Sequence, residues 1–134
     1  MSNIREDKGY TYGIHSYFQN HISDSSWLIS TEAGKDVCEP TIEEIYHEMK
    51  VLRETAVKEE ELLLVKNYML GSVLGDLDGP FHIIGRWKNI ILNELPVDYF
   101  EKTIEAIKKV SSNDIQILAN KYLKQEDFYE LVVV

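Results

Sequence analysis

Asn3-Ile4-Arg5-Glu6-Asp7-Lys8-Gly9-Tyr10-Thr11-Tyr12-Gly13-Ile14 is the stretch that decides the fold. It reads as the last turns of a helix, closed by a glycine and running straight into a strand. Gly9 can adopt the left-handed conformation that ends a helix without a Cβ penalty. Lys8 before it sets positive charge near the negative end of the helix dipole. Tyr10 to Phe18 is then rich in aromatic and β-branched residues, as a strand should be. Because Met1 falls inside an element, the domain is expected to begin further upstream.

Working outward, Trp27 to Ala33 alternates as a second strand. Tyr10, Tyr12, Ile14 and Phe18 are expected on one face of the first strand. The polar segment Gln19 to Ser26 joins the two as an antiparallel hairpin with a loose loop. Thr41-Ile42-Glu43-Glu44 after Pro40 reads as a capping box, opening a helix that buries Ile42, Ile45, Tyr46, Met49 and Leu52. A second helix opens near Lys58, with Glu59, Glu60 and Glu61 in its first turn, and runs through Leu62, Val65, Met69 and Val73. Pro80 starts a third, holding Ile84, Trp87, Ile91 and Leu95. Phe100, Ile104 and Ile107 mark a fourth, and Ser111 with Asp114 caps a fifth that carries Ile115, Leu118, Ala119 and Tyr122. Phe128 to Val134 is strongly β-prone. The order β-β-α-α-α-α-α-β implies an α+β domain, with helices on one face of a mainly antiparallel sheet.

Arg5, Gly9 and Tyr12, with the surrounding Arg-Glu-Asp-Lys-Gly-Tyr-Thr-Tyr, resemble a signature of the pitrilysin/insulinase/mitochondrial processing peptidase family of zinc metallopeptidases. The signature belongs to the C-terminal type of domain, which lacks zinc. Glu60 to Gly71, the segment Val110 to Leu123 ending Ala-Asn-Lys-Tyr-Leu, and the valine-rich end are similar to the same family. The resemblance covers nearly the whole chain, although the family's domain begins with further strands and a helix that precede this stretch. It implies a single, partial, inactive-type domain over residues 1–134. Such a domain supplies an Arg/Tyr pair to a site completed by a homologous zinc-bearing domain.

With 134 residues, 44% hydrophobic and 28% charged, the chain has the makeup of an ordinary globular domain. A net charge of −9 disfavours nucleic acid, whose binding relies on basic patches. Cys38 alone excludes an internal disulfide framework. No apolar run approaches the ~18 residues of a membrane span.

Chemistry has few places to sit. The family's zinc motif is His-x-x-Glu-His, and no two of His15, His21, His47 and His82 are four apart. No metal site is therefore expected in this chain, and zinc is expected in the partner domain. Glu44 and His47 have the Glu-x-x-His spacing of di-metal bundles, but the second motif and extra glutamates those need are lacking. No Gly-x-Ser-x-Gly elbow or phosphate-binding loop is present. Gly71 and Gly75 fit either close helix approach or fraying toward Gly79-Pro80.

Arg5 and Tyr12 remain. A phenol O–H aimed at a scissile carbonyl stabilises developing negative charge, and a guanidinium can hold a peptide carbonyl or carboxylate. Read from the residues alone, Arg5 pairs with a carboxylate at a helix end and Tyr12 packs on a strand. The resemblance instead assigns Arg5 to orienting an extended peptide and Tyr12 to assisting at its carbonyl. The chain would then be inert alone. The alternative is a non-catalytic structural or interaction domain of the same fold. An unpaired sheet edge is expected to favour a homodimer. The compartment is left open.

Overall fold

The computed structural model describes residues 2–75 and 77–133, with the backbone alone at Ser2; Met1 and Val134, which end two of the expected elements, lie outside them. The chain divides into two compact units, residues 1–51 with 122–134, and residues 52–121.

The first unit opens with one π-helical turn, Ser2–Asp7, rather than an α-helix. The Lys8 amide reaches the Asn3 carbonyl at 3.0 Å, and the Tyr10 amide reaches that of Ile4 at 3.0 Å. Gly9, at φ 65°, makes the reversal between them. Ile4 beneath this turn is buried. β1 (Thr11–Asn20) and β2 (Ser25–Ala33) then form an antiparallel hairpin. Its loop is tighter than the polar composition suggested: the His21 amide bonds the Asp24 carbonyl at 2.8 Å, and the Ser25 amide bonds the Asp24 carboxylate at 2.8 Å.

One irregularity corrects the expected face of β1. Thr11 pairs with Ala33 and Ile14 with Thr31, so two residues of β1 oppose one of β2. This bulge breaks the period of two on which the set Tyr10, Tyr12, Ile14 and Phe18 depended. Thr11 is buried, Tyr12 stands fully out, and Ile14 is half-buried.

α1 (Cys38–Glu54) begins three residues before the expected capping box. Thr41 is not a cap: its hydroxyl donates to the Val37 carbonyl at 2.7 Å, one helical turn back. It is almost wholly buried, as is Met49 two turns on. The expected last strand carries no ladder among residues 128–133, so the sheet has only two described strands. That sheet is a minor part of the chain, not its main layer. Phe128 sets its ring edge-on to Trp27 of β2 at 5.8 Å and to Tyr46 of α1 at 6.4 Å. Tyr46 is pushed above the ordinary phenol range by burial and by its hydrogen bond to the Glu130 carboxylate.

The second unit holds α2 (Glu59–Gly75), α3 (Pro80–Leu92), α4 (Tyr99–Lys109) and most of α5 (Ser112–Tyr122). Leu62, Ile107 and Ala119 are its buried apolar residues, and α2 packs against α4. The Ser111–Asp114 cap forms as the sequence implies. The Ser111 amide bonds the Asp114 carboxylate at 2.9 Å, and the Asp114 amide bonds the Ser111 hydroxyl at 3.2 Å. The Ser111 hydroxyl, which donates to the carboxylate at 2.6 Å, and then the Ser111 amide hold the Asp114 carboxyl below its ordinary pKa. Two side-chain amides of α5, Gln116 at 3.0 Å and Asn120 at 2.9 Å, satisfy the Arg53 carbonyl at the end of α1.

α3 departs from the expected packing. Ile84, Trp87 and Ile91 were expected in the core and are exposed, whereas Arg86 and Ile90 are half-buried. Arg86 donates to the Val73 carbonyl at 3.3 Å and stacks 4.8 Å from the Phe100 ring. A guanidinium that satisfies a helix-end carbonyl and covers an aromatic face has displaced an isoleucine stripe from the inner side.

Candidate functional site

The two residues singled out by sequence both belong to the first unit, on either side of Gly9. Arg5 comes from the π-helical turn and is exposed. No carboxylate of the described residues pairs with it. The pairing that the residues alone suggested is made instead by Lys8, whose ammonium bonds the Glu44 carboxylate of α1. Asn3 donates to the same carboxylate and to Glu48. Lys8 first, and Asn3 second, hold Glu44 below the usual carboxylate range. Lys8 is raised in turn, chiefly by its bond to Glu44. This network ties the turn that carries Arg5 to the first helix. Lys8 thus acts on a neighbouring side chain more than on a helix dipole.

Tyr12 is presented by the bulge. Its side chain is 97% exposed, while Thr11 beside it is buried. The Thr11 hydroxyl is the hub that holds the irregular backbone. It donates toward the Glu32 carbonyl at 2.7 Å or the Gly13 carbonyl at 2.9 Å, and it accepts from the Gly13 amide at 3.1 Å. Thr31 on the facing strand lies 2.8 Å from the same hydroxyl and 2.9 Å from the Gly13 carbonyl. A bulge leaves backbone groups outside the ladder, and two threonine hydroxyls satisfy them here. Thr11 and Thr31 therefore matter to the placement of Tyr12. In the sequence they read only as β-branched strand formers, and the one available signal was a polar residue on each strand at the same end of the hairpin.

Chemically, the arrangement offers one phenol and one guanidinium, both open to solvent and held on backbone fixed by a π turn and a bulge. The phenol can donate a hydrogen bond to a carbonyl oxygen, and the guanidinium can bind a carbonyl or carboxylate. The four histidines are all exposed. Among the described residues no three His, Cys, Asp or Glu side chains gather as metal ligands, and Glu44 of the Glu44/His47 pair is occupied by Lys8 and Asn3. A shallow hollow at the start of α2 is lined by Glu59, Glu60, Leu62, Leu63 and Lys66, and takes in neither Arg5 nor Tyr12. No helix of the described residues is long and apolar enough to cross a membrane.

No family model and no curated protein matches the chain. Among solved structures it is similar to the crystal structure of a peptidase M16 inactive domain from Pseudomonas fluorescens, with a TM-score of 0.80 and 21% sequence identity. The match covers 90% of this chain and 29% of that one, so the chain spans less than a third of the neighbour's length. At this identity the likeness is one of fold: the chain is an α+β protein folded like part of a peptidase M16 inactive domain.

Proposed function

We propose that this chain is a non-catalytic, substrate-binding half of a zinc metalloendopeptidase. In this reading Arg5 orients an extended peptide and Tyr12 donates to the scissile carbonyl oxygen. A homologous His-x-x-Glu-His domain, in the same or another polypeptide, supplies the zinc and the general base. The observation that carries the reading is Tyr12 itself, 97% exposed on a bulge held by Thr11 and Thr31. A strand tyrosine serving only to pack would bury its ring. The fold likeness to an inactive peptidase domain supports it, as does the open guanidinium of Arg5. The chain alone should not cleave peptides.

The apolar side chains exposed on α3, among them Ile84, Ile91 and Leu92, favour a second reading, a structural or interaction domain of the same fold. Complexes reconstituted with a zinc-bearing domain separate the two. Tyr12→Phe should lower kcat by about 10²-fold with little change in KM, the usual effect of removing one oxyanion donor. Arg5→Ala should raise KM. Full turnover after both changes would leave only the scaffold reading.

A further inference from the structure

We infer that Glu44 of α1 is a positioning residue for peptide binding, because it holds the turn that carries Arg5; the inference rests on the substrate role proposed for Arg5. That turn, Ser2–Asp7, is π-helical, and a helical segment of this length does not hold its shape in water by its own bonds. Its anchors are side chains on either side of Arg5. Ile4, the residue before it, is buried. Asn3 donates to the Glu44 carboxylate, and the Lys8 ammonium, on the far side of Arg5, bonds the same carboxylate. Asn3 donates as well to Glu48, one turn further along α1.

The bonding pattern of a π turn makes this anchoring directional. Each amide bonds the carbonyl five residues back, which brings residues five apart onto one side of the turn. Asn3 and Lys8 are such a pair, joined by the Lys8 amide and the Asn3 carbonyl at 3.0 Å. Both side chains therefore meet α1 together, and Arg5 falls about half a turn from Asn3, exposed to solvent. The same half turn keeps the guanidinium off Glu44, so its charge stays available to a peptide carbonyl or carboxylate. A fully exposed ion pair would be too weak to hold the turn. The Glu44 side chain is only 13% exposed and accepts from two donors. Its loss leaves Asn3 with Glu48 alone and takes from Lys8 its one carboxylate partner among the described residues.

Hydrogen exchange of the intact chain reads the turn itself. In Glu44→Ala the amides of Lys8 and Tyr10, which bond the Asn3 and Ile4 carbonyls, should exchange about tenfold faster, with the circular dichroism spectrum unchanged. Kinetics of complexes reconstituted with a zinc-bearing domain, on one internally quenched peptide, read the consequence. Glu44→Ala should raise KM about tenfold and leave kcat within about twofold. Glu44→Gln, which keeps an acceptor oxygen at the same reach, should fall between Glu44→Ala and the wild type. In an Arg5→Ala background, Glu44→Ala should change KM by less than about twofold, because both act through one group. Equal protection of the two amides, a normal KM in Glu44→Ala where Arg5→Ala raises it, or an effect that persists without Arg5 would overturn the role of Glu44 alone. A KM unmoved by Arg5→Ala would overturn it together with the role of Arg5.

Discussion

Replacing Thr11 with valine keeps the shape of the side chain and removes the one oxygen on which the bulge converges. In the structure that oxygen donates one hydrogen bond and accepts from the Gly13 amide and the Thr31 hydroxyl. A net intramolecular bond is worth about 1 kcal/mol, and a buried group left unpaired costs about 1–3 kcal/mol. Thr31 keeps an alternative acceptor in the Gly13 carbonyl at 2.9 Å, which recovers part of the loss. The Gly13 amide and the Glu32 carbonyl lose the Thr11 oxygen as a partner. The expected destabilisation is therefore about 2 kcal/mol, or a fall in Tm of about 6–10 °C for a chain of this size. Thr11→Ser, which retains the oxygen, should lie within about 1 kcal/mol of the wild type. Thermal and urea unfolding followed by circular dichroism measure both, and hydrogen exchange at Gly13 reports the bulge directly. If Thr11→Val unfolds at the wild-type temperature with Gly13 equally protected, the hydroxyl does not hold the bulge. The account of how Tyr12 is displayed then fails with it.

Met49→Ala empties a site that is 4% exposed and should cost about 2–5 kcal/mol in urea unfolding. Gly9→Ala forces a Cβ into the left-handed region at φ 65° with no contact in its way, so the cost should be conformational alone, about 1–2 kcal/mol. Asp114 has a lowered pKa in the folded state, so its contribution is present above the ordinary aspartate value near 4 and is lost as pH falls through the lower folded value. Ser111→Ala removes the hydroxyl and keeps the amide bond, so it should weaken that acid-side dependence without abolishing it, as denaturant titrations at several pH values would show.

The helices were legible wherever a local device set them. Pro80 at the first turn of α3, the Ser111–Asp114 cap of α5, and the Ile107-centred face of α4 all follow from nearest-neighbour chemistry. Thr41 misled because a threonine followed by Glu43 and Glu44 looks alike as a cap and as an interior residue bonding one turn back; which applies depends on where the preceding turn begins. α3 misled for another reason. Amphipathic periodicity identifies an apolar stripe but not what covers it, and Arg86 won the inner side through a carbonyl and an aromatic ring drawn from other helices. The terminal Phe-Tyr-Glu-Leu-Val-Val run has strand propensity, but a ladder needs a partner edge, which propensity cannot supply. Of the candidate site, the identities of Arg5 and Tyr12 could be read directly. Their setting could not, since a π turn and a bulge leave no repeat in the sequence.

The irregular step between Thr11 and Ile14 also separates two demands that a regular hairpin ties together. In an unbroken ladder, inserting or deleting one residue inverts every side chain beyond the change. Here the ladder passes over one position, and pairing resumes at Ile14 with Thr31 whatever occupies it. Tyr12 is in that sense an appendage the sheet does not count, so the chemistry shown at this point can be rewritten while the hairpin beneath keeps its register.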